Sequence, residues 1–207
     1  MITDRLANPE LAEIEVSGVT RASFLVRGAL AAGAVYGTAA VSPFVSTAFG
    51  ATTDIDILNF ALTLEYLETD FYQVKAKTVG LTGLAAHYAS NFGKEEASHV
   101  AALTSAIKAA GGTPVPKPTF SFPVSSASAF LGLAYTVENL GVGAYNGAGP
   151  LLKSKALLGA AGSIVQIEAR HAAAIALLIN KPPTPSGAFD EAKTMKQVLA
   201  AAGPLIK

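Results

Sequence analysis

Two copies of the motif Glu-x-x-His carry most of the chemistry available to this sequence. Glu96 and His99 form the first copy, and Glu168 and His171 form the second. Residues three apart share one face of a helix, so each motif would direct a carboxylate and an imidazole at one point. Imidazole is a suitable ligand for iron and zinc. A site whose other ligands are carboxylate oxygens suits iron or manganese. One such motif arises easily by chance, but two at equivalent places in a repeat indicate a metal site.

An internal repeat supplies the further carboxylates. Ala61–Glu65 and Ala134–Glu138 both read Ala-x-Thr-aliphatic-Glu, and the two glutamates are 73 residues apart, against 72 residues between the Glu-x-x-His motifs. The repeat predicts a duplicated helical hairpin. Two such motifs and one Glu from each of the other two helices form the ligand set of di-metal carboxylate bundles. We predict two iron or manganese ions held by six ligands: Glu65, Glu96, His99, Glu138, Glu168 and His171.

Two tyrosines accompany the repeat. Tyr72 follows Glu65 by seven residues, and Tyr145 follows Glu138 by the same spacing. Seven residues are two helical turns, so each tyrosine shares a face with its glutamate. We predict phenols that donate hydrogen bonds to ligand carboxylates or act as radical traps, and count both as candidate catalytic residues. The alternative is a pair of core tyrosines whose hydroxyls are otherwise satisfied.

Other ionisable residues lie close to the predicted ligands. Glu68 is one turn after the first-helix ligand, but its repeat partner is Gly141. Glu95 is four residues before His99, but its repeat partner is apolar. The duplication disfavours both as ligands, so we predict that Glu68, Asp70 and Glu95 are solvated or rim charges. His87 has no matching acid and is predicted to be a surface or satisfied histidine.

The composition makes the repeated acids stand out. The chain has 15 Lys and Arg, 15 Asp and Glu, three His and no Cys, and 14% of its residues are charged. The lack of Cys excludes disulfides, thiolate metal sites and cysteine nucleophiles. The lack of a basic excess argues against a nucleic-acid partner. Between residues 97 and 189 the only acids are Glu138 and Glu168.

Apolar spacing predicts an all-α protein. The predicted long helices span residues 54–79, 84–110, 126–147 and 154–180, and a short helix follows at 190–202. Prolines exclude helix from 113–124, which becomes a long crossover between the second and third helices. Two hairpins joined by one crossover are typical of ferritin-like bundles. Close helix packing and a local bulge remain alternative reasons for four glycines near the end of the third helix: Gly141, Gly143, Gly147 and Gly149.

The first 51 residues differ from the rest. An acidic start is followed by Thr20–Arg27, and residues 28–53 carry no charge. A basic flank, a moderately apolar stretch and small residues at 46–48 are typical of an export signal. The flank resembles a degenerate twin-arginine signal in which Ala22 replaces the second arginine.

Two alternatives remain for this segment. It is long enough to span a bilayer and could pack through Gly33 and Gly37, or it could be an ordinary buried helix. We divide the chain into an export or anchor segment (1–51), a four-helix bundle (52–181) and a tail (182–207). We expect an exported protein in the periplasm, cell envelope or medium, with membrane contact or self-assembly through residues 20–50.

Together the motifs resemble the ferritin-like domain of secreted bacterial proteins related to desiccation- and stress-associated proteins. The resemblance covers about residues 54–180 and implies a four-helix ferritin-like fold, with export of many members through twin-arginine signals. Similarity to bacterioferritin and rubrerythrin implies the same six metal ligands. The resemblance to the secreted ferritin-like domains is carried by residues 56–68, Phe71-Tyr72, Glu96-x-x-His99, 111–115, 138–145 and Glu168-x-x-His171.

Two function hypotheses follow. The first is a di-iron or di-manganese oxidoreductase, ferroxidase- or peroxidase-like, that acts on O2, peroxide or Fe(II) in stress protection. The second is a structural or protective envelope or assembly protein whose metal site is vestigial or only stabilising. Iron storage in a closed cage ranks last, because residues 1–50 would be awkward inside the shell. The expected partners are metal ions, small oxygen species and further copies of the chain.

Overall fold

The computed structural model describes residues 53–207, which fold into helices. The α-helices are α1 (Asp54–Gln73), α2 (Gly83–Ala109), α3 (Ala127–Ala148), α4 (Lys155–Leu178) and α5 (Met195–Ala202). These residues form no strand, only a single antiparallel bridge between Phe120 and Ile206. The all-α prediction is therefore confirmed. The predictions for residues 1–51, including the apolar N-terminal helix and the Gly33–Gly37 contact, lie outside the described residues.

The four long helices form two hairpins, α1 with α2 and α3 with α4. Thr53 begins α1 through a capping box, in which its side chain and that of Asp56 each accept from the other's backbone N–H. The Asp54 carboxylate accepts from the backbone N–H groups of Lys153 and Ser154 at 2.8 and 2.9 Å. This contact ties the first turn of α1 to the turn between α3 and α4.

Two helices are at least five residues shorter than their apolar patterns predicted. α1 ends at Gln73, and a 3-10 helix (Lys75–Thr78) continues the chain. Ala76 and Val79 are buried like the residues of α1, so the apolar spacing continued although the helix type changed. The C-terminal helix begins at Met195 instead of 190, because Thr194 forms its capping box with Gln197.

The long crossover between α2 and α3, which the prolines predict, runs along α1. Near the start of α1, the Asn59 side chain accepts from the backbone N–H of Val115 at 2.8 Å. Near the end of α1, Asp70 forms an ion pair with Lys117. No described helix in residues 53–207 has the length and apolarity of a membrane span.

The core has two ends with the acidic residues between them. The aromatic end contains Phe71, Tyr72, Phe92 and Phe130, with the rings of Phe71 and Phe130 stacked 4.2 Å apart. The other end, which we call the aliphatic end, is built mainly from Ile57, Leu58, Leu62, Leu103, Ile107 and Ile164. On each long helix the predicted ligands lie between these two clusters, so apolar packing isolates them from both directions.

The glycines of α3 allow close packing, and α3 continues through them as a regular helix. The backbone N–H of Lys193 donates to the carbonyl of Gly143 at 2.8 Å. A Cβ at Gly147 would lie 1.9 Å from the carbonyl oxygen of Lys193. The tail therefore lies directly on the backbone of α3, which decides between the two alternatives in favour of close packing.

We expect Gly147→Ala to destabilise the protein by about 1–3 kcal/mol, the usual cost of overpacking a well-packed contact. The methyl group must displace the backbone of Lys193. Urea denaturation measures the change. Gly132→Ala on the same helix is the matched control, because, apart from its chain neighbours and the adjoining backbone of its own helix, no atom of residues 53–207 lies within 4 Å of its Cβ position. That control should gain up to about 1 kcal/mol from helix propensity. Equal stability of the two variants would contradict the packing.

Candidate metal centre

The structure brings the six predicted ligands together in the middle of the bundle. Each of the four long helices contributes at least one of them, at the level between the aromatic and aliphatic ends. The four glutamates are completely buried, and the His171 side chain is 2% exposed. The His99 side chain is 12% exposed, so this imidazole is nearest to solvent. Such burial is rare for carboxylates unless they are paired or bind a cation.

The first group of ligand atoms surrounds His99. Its Nδ1 lies 2.9 Å from a Glu96 oxygen and 3.1 Å from oxygens of both Glu65 and Glu168. In this group each of the four residues offers one atom, and all of these atoms lie within 4.8 Å of one another. One imidazole and three carboxylates make a donor set suited to iron or manganese.

The second group surrounds His171. Its Nδ1 lies 2.8 Å from Glu96 Oε1 and 3.6 Å from Glu138 Oε2, and Glu168 completes the group. Glu96 and Glu168, the glutamates of the two Glu-x-x-His motifs, belong to both groups. Carboxylates have two oxygens, so these two residues can serve two neighbouring cations.

Several buried ligand atoms have no hydrogen-bond partner among the described residues. They are Glu96 Oε1, Glu138 Oε2, both Glu168 oxygens and His171 Nδ1. Glu96 Oε1 and His171 Nδ1 are 2.8 Å apart, yet their directions do not form a hydrogen bond. A buried polar atom without a partner costs about 1–3 kcal/mol, more when charged. Cations between these converging atoms would satisfy them, so the residues present fit a pair of metal ions.

The two tyrosines connect the hairpins. Tyr145 on α3 donates its hydroxyl to Glu65 Oε1 on α1 at 2.5 Å, and Tyr72 on α1 donates to Glu138 Oε1 on α3. Each tyrosine therefore bonds the glutamate of the opposite hairpin. Burial and the nearby carboxylates raise the pKa of both phenols well above the ordinary value, so both remain donors. The bonds hold one oxygen of each glutamate and leave Oε2 toward the ligand groups.

Glu68 corrects one prediction. It is not a solvated or rim charge, because it is 2% exposed and lies among the ligand carboxylates. A Cβ at Gly141 would lie 3.0 Å from Glu68 Oε1 and 3.4 Å from Glu168 Oε2. Positions 68 and 141 are equivalent in the repeat and face each other, so one long side chain fills the space of both. Gly141 seemed to argue against a role for Glu68 in the centre. Its missing side chain instead leaves the space that the Glu68 side chain occupies.

Of the other residues predicted to be rim or surface groups, Glu95 contacts the centre. The Glu95 side chain is 51% exposed, and its Oε2 lies 2.6 Å from His171 Nε2. A carboxylate on the outer nitrogen of an imidazole fixes the ring and directs the inner nitrogen at the metal. His99 receives no such contact from the equivalent position, which is Ile167. Asp70 pairs with Lys117, and His87 is exposed and contacts Asn91.

Protons take the place of cations in the metal-free centre. Burial raises the pKa of Glu65 to about 7, although His99 opposes the shift. Burial and neighbouring carboxylates raise the pKa of Glu68 and Glu168 well above the ordinary value. Burial lowers the pKa of the imidazoles, but the carboxylates outweigh it and raise His99 to about 12 and His171 to about 11. Conversely, burial raises the pKa of Glu96, but the neighbouring imidazoles of His171 and His99 outweigh it and leave the value at about 2.

We expect the metal-free protein to lose stability as the pH rises from 5 to 8. The folded chain keeps protons on Glu65 and both imidazoles that the unfolded chain releases near pH 4.5 and 6.5. The folded state therefore binds more protons, and its free energy of unfolding falls by about 1.4 kcal/mol per pH unit for each such proton. Urea denaturation with a chelator measures this dependence of stability on pH.

Glu96 has a lowered pKa and affects stability in the opposite direction, but only below pH 4.5. A rising stability between pH 5 and 8 would contradict this distribution of protons.

The fold and the centre define a class of protein: a helical bundle with a buried cluster of carboxylates and histidines that could hold metal ions. The family model of the ferritin-like domain matches residues 53–181, more than half of the chain. The chain belongs to the ferritin-like domain family. A comparison with curated proteins found no match.

Proposed function

We propose that this chain is a di-metal carboxylate protein that binds two iron or manganese ions and acts on O2, peroxide or Fe(II). The observation that carries the proposal is the pair of four-residue ligand groups that share Glu96 and Glu168. Glu65 and His99 would complete one cation position, and Glu138 and His171 the other. Bound as a pair, the ions would supply Lewis acidity and redox chemistry to oxygen species.

The charge of the site supports two divalent cations. The four ligand glutamates offset the charge of two such ions, and neutral imidazoles add donors without adding charge. Glu68 adds a fifth carboxylate to the same buried volume. Without cations, this number of acids in an apolar core would be strongly unfavourable and would take up protons, as the raised pKa values of Glu65, Glu68 and Glu168 indicate.

The surrounding residues hold the ligands in place. Phe92 lies against the His171 ring, with centroids 3.9 Å apart and an angle of 25° between the planes. Glu95 holds the outer nitrogen of the same ring, and Tyr72 holds Glu138. These contacts orient the side chains of the second cation position, where the His171 side chain is only 2% exposed. At the first position Tyr145 holds Glu65, but His99 has a more exposed side chain. We infer that small reactants approach the His99 half of the centre.

The function is tested by loading the metal-free protein with Fe(II) under argon and then adding O2 or peroxide. We expect oxidant-dependent oxidation of two irons per chain, measured by absorbance and by an oxygen electrode. The Glu96→Gln, Glu168→Gln double variant should lose this reaction, and Glu191→Gln on the tail should retain it. Full binding of two iron or manganese ions with no reaction toward either oxidant would contradict the oxidoreductase proposal. It would favour the alternative of a structural or protective protein with a stabilising site.

Export is a separate proposal supported only by the sequence of residues 20–48. Fractionation of cells that express the full chain tests it, with a variant lacking residues 1–51 as the control. We expect the full chain outside the cytoplasm and the shortened chain inside. The same compartment for both would contradict export through this segment.

A further inference from the structure

A cavity lies at the aliphatic end of the bundle, beside the metal centre. Its volume is about 50 Å³, and all four long helices contribute to its wall. A space of roughly 10–15 Å³ by the same measure holds one water molecule, so the cavity has room for a small molecule. Tyr145 lines the cavity and donates its hydroxyl to Glu65 in the centre.

The repeat explains why the cavity exists. The aromatic end occupies the equivalent place in the other half of the duplication, and there it is filled by packed rings. At the aliphatic end the same positions carry smaller side chains, and all of them line the cavity. Phe71, Phe92, Phe130 and Tyr88 correspond to Ala144, Ile164, Ile57 and Ala160. The two ends thus differ at four equivalent positions, which carry rings at the aromatic end and smaller side chains in the cavity wall.

The cavity wall is apolar. Among the described residues that line the cavity, only Tyr145 has a polar side chain, and its hydroxyl already donates to Glu65. An ordered water needs two to four polar partners, and apolar cavities of this kind remain dry. Peroxide, which must give up hydrogen bonds to water, is disfavoured for the same reason. Dioxygen forms no strong hydrogen bonds in water and fits the volume.

The cavity connects solvent with one half of the centre. Ala102 on α2 and Ala160 on α4 line it and are themselves exposed, which places an opening between these two helices. At its inner end, the Tyr145 ring lies in the wall while the Tyr145 hydroxyl touches Glu65. Glu65 belongs with His99 to the first ligand group. On the other side of the centre, Phe92 covers His171 and fills the equivalent space.

We propose that this cavity binds dioxygen and supplies it to the Glu65–His99 half of the metal centre. The supply role rests on the proposed function, whereas the binding of a small apolar gas does not. The asymmetry between the two ends then gives the two cation positions different access: one faces a dry gas cavity, and the other is closed by aromatic rings.

Xenon tests the binding site without any metal. We expect crystals of the full chain under xenon pressure to show one xenon atom between Ala61, Ala144 and Ile164. Ile164→Phe restores the ring that the equivalent Phe92 carries and should abolish this xenon site. Ala156→Phe is the control, because Ala156 is exposed on α4 and outside the cavity wall. Absence of xenon from the unaltered cavity, or ordered water in it, would overturn the proposal.

Oxygen kinetics test the supply role. In the iron-loaded protein, Ala160→Phe narrows the opening and should raise the KM for O2 several-fold, with little change in kcat or in iron content. Ala156→Phe should behave like the unaltered protein. On α2, Ala102→Phe with Ala101→Phe as its control repeats the comparison.

An unchanged KM for O2 in both Ala160→Phe and Ala102→Phe would overturn the supply role. An iron-loaded protein that consumes no O2 would overturn the supply role and the proposed function together, and the xenon result would then decide the binding site alone.

Discussion

Glu168→Gln should remove both metal ions from the protein, although only one side chain is changed. Glu168 belongs to both ligand groups, and both of its oxygens are buried without a hydrogen-bond partner among residues 53–207. An amide keeps the shape of the side chain but offers one weak oxygen donor and no charge. Loss of a residue that only orients a ligand costs roughly 10–100-fold in affinity, so loss of a shared ligand should exceed about 100-fold.

To measure this effect, each variant is dialysed against the same concentration of free metal and its bound metal is then analysed. We expect two ions per chain in the unaltered protein and close to none in Glu168→Gln. His171→Ala should instead retain about one, because His171 belongs to a single group. Glu191→Gln, which changes an exposed acid paired with Lys193 on the tail, should bind the full amount. Equal metal content in Glu168→Gln and Glu191→Gln would contradict the shared role of Glu168.

Added metal should also raise the free energy of unfolding by different amounts in the different variants. A ligand that binds only the folded state at 100 times its Kd adds about 2.7 kcal/mol to the free energy of unfolding. The unaltered protein and Glu191→Gln should gain this amount or more when metal is added. Glu168→Gln should show no comparable gain. The measurement distinguishes loss of binding from loss of the fold, because a folded variant still unfolds cooperatively without metal.

Glu68→Gln should have opposite effects on the metal-free and metal-loaded protein. At pH 8 the buried Glu68 either ionises among four other carboxylates or keeps a proton that the unfolded chain would release. Both cost free energy, so the amide should stabilise the metal-free protein by about 1–4 kcal/mol, as other replacements of buried charges do. With two cations present, the lost negative charge should weaken metal binding.

Two measurements test these opposite effects. Urea denaturation at pH 8 with a chelator should show the gain in stability, and a smaller decline of stability between pH 5 and 8. Metal titration should show the weaker affinity. Asp70→Asn, two residues along α1, is the matched control and should change stability by no more than about 1 kcal/mol, because its pair with Lys117 is partly exposed. A less stable metal-free Glu68→Gln protein would show that Glu68 has a structural partner instead.

The buried cluster of glutamates and histidines could be predicted from sequence because the spacing of each Glu-x-x-His motif lies within a single helix. The i to i+3 spacing of Glu96 and His99 fixes a shared helix face whatever the tertiary structure, and the repeat then indicated which other glutamates belong with them. The long crossover was predictable because prolines exclude a helix. The predicted length of the first helix was too great, because apolar spacing reports burial and continues into the 3-10 turn after Gln73.

The remaining features depend on contacts between helices, which spacing does not fix. The bonds of Tyr72 and Tyr145 to the glutamate of the opposite hairpin require the relative rotation of α1 and α3. Glu68 was placed wrongly because equivalence in a repeat was treated as equivalence of role, whereas residues 68 and 141 face each other and compete for one space. The tail on Gly147 and the cavity likewise follow from packing.

We propose that this bundle holds two adjacent metal ions between its four long helices. The most direct test is anomalous scattering at the iron and manganese edges, from crystals of the full chain purified without chelator and loaded with both metals. We predict two peaks per chain: one enclosed by Glu65, Glu96, His99 and Glu168, and one enclosed by Glu96, Glu138, Glu168 and His171. No anomalous peak among these side chains, or metal bound only elsewhere, would contradict the account.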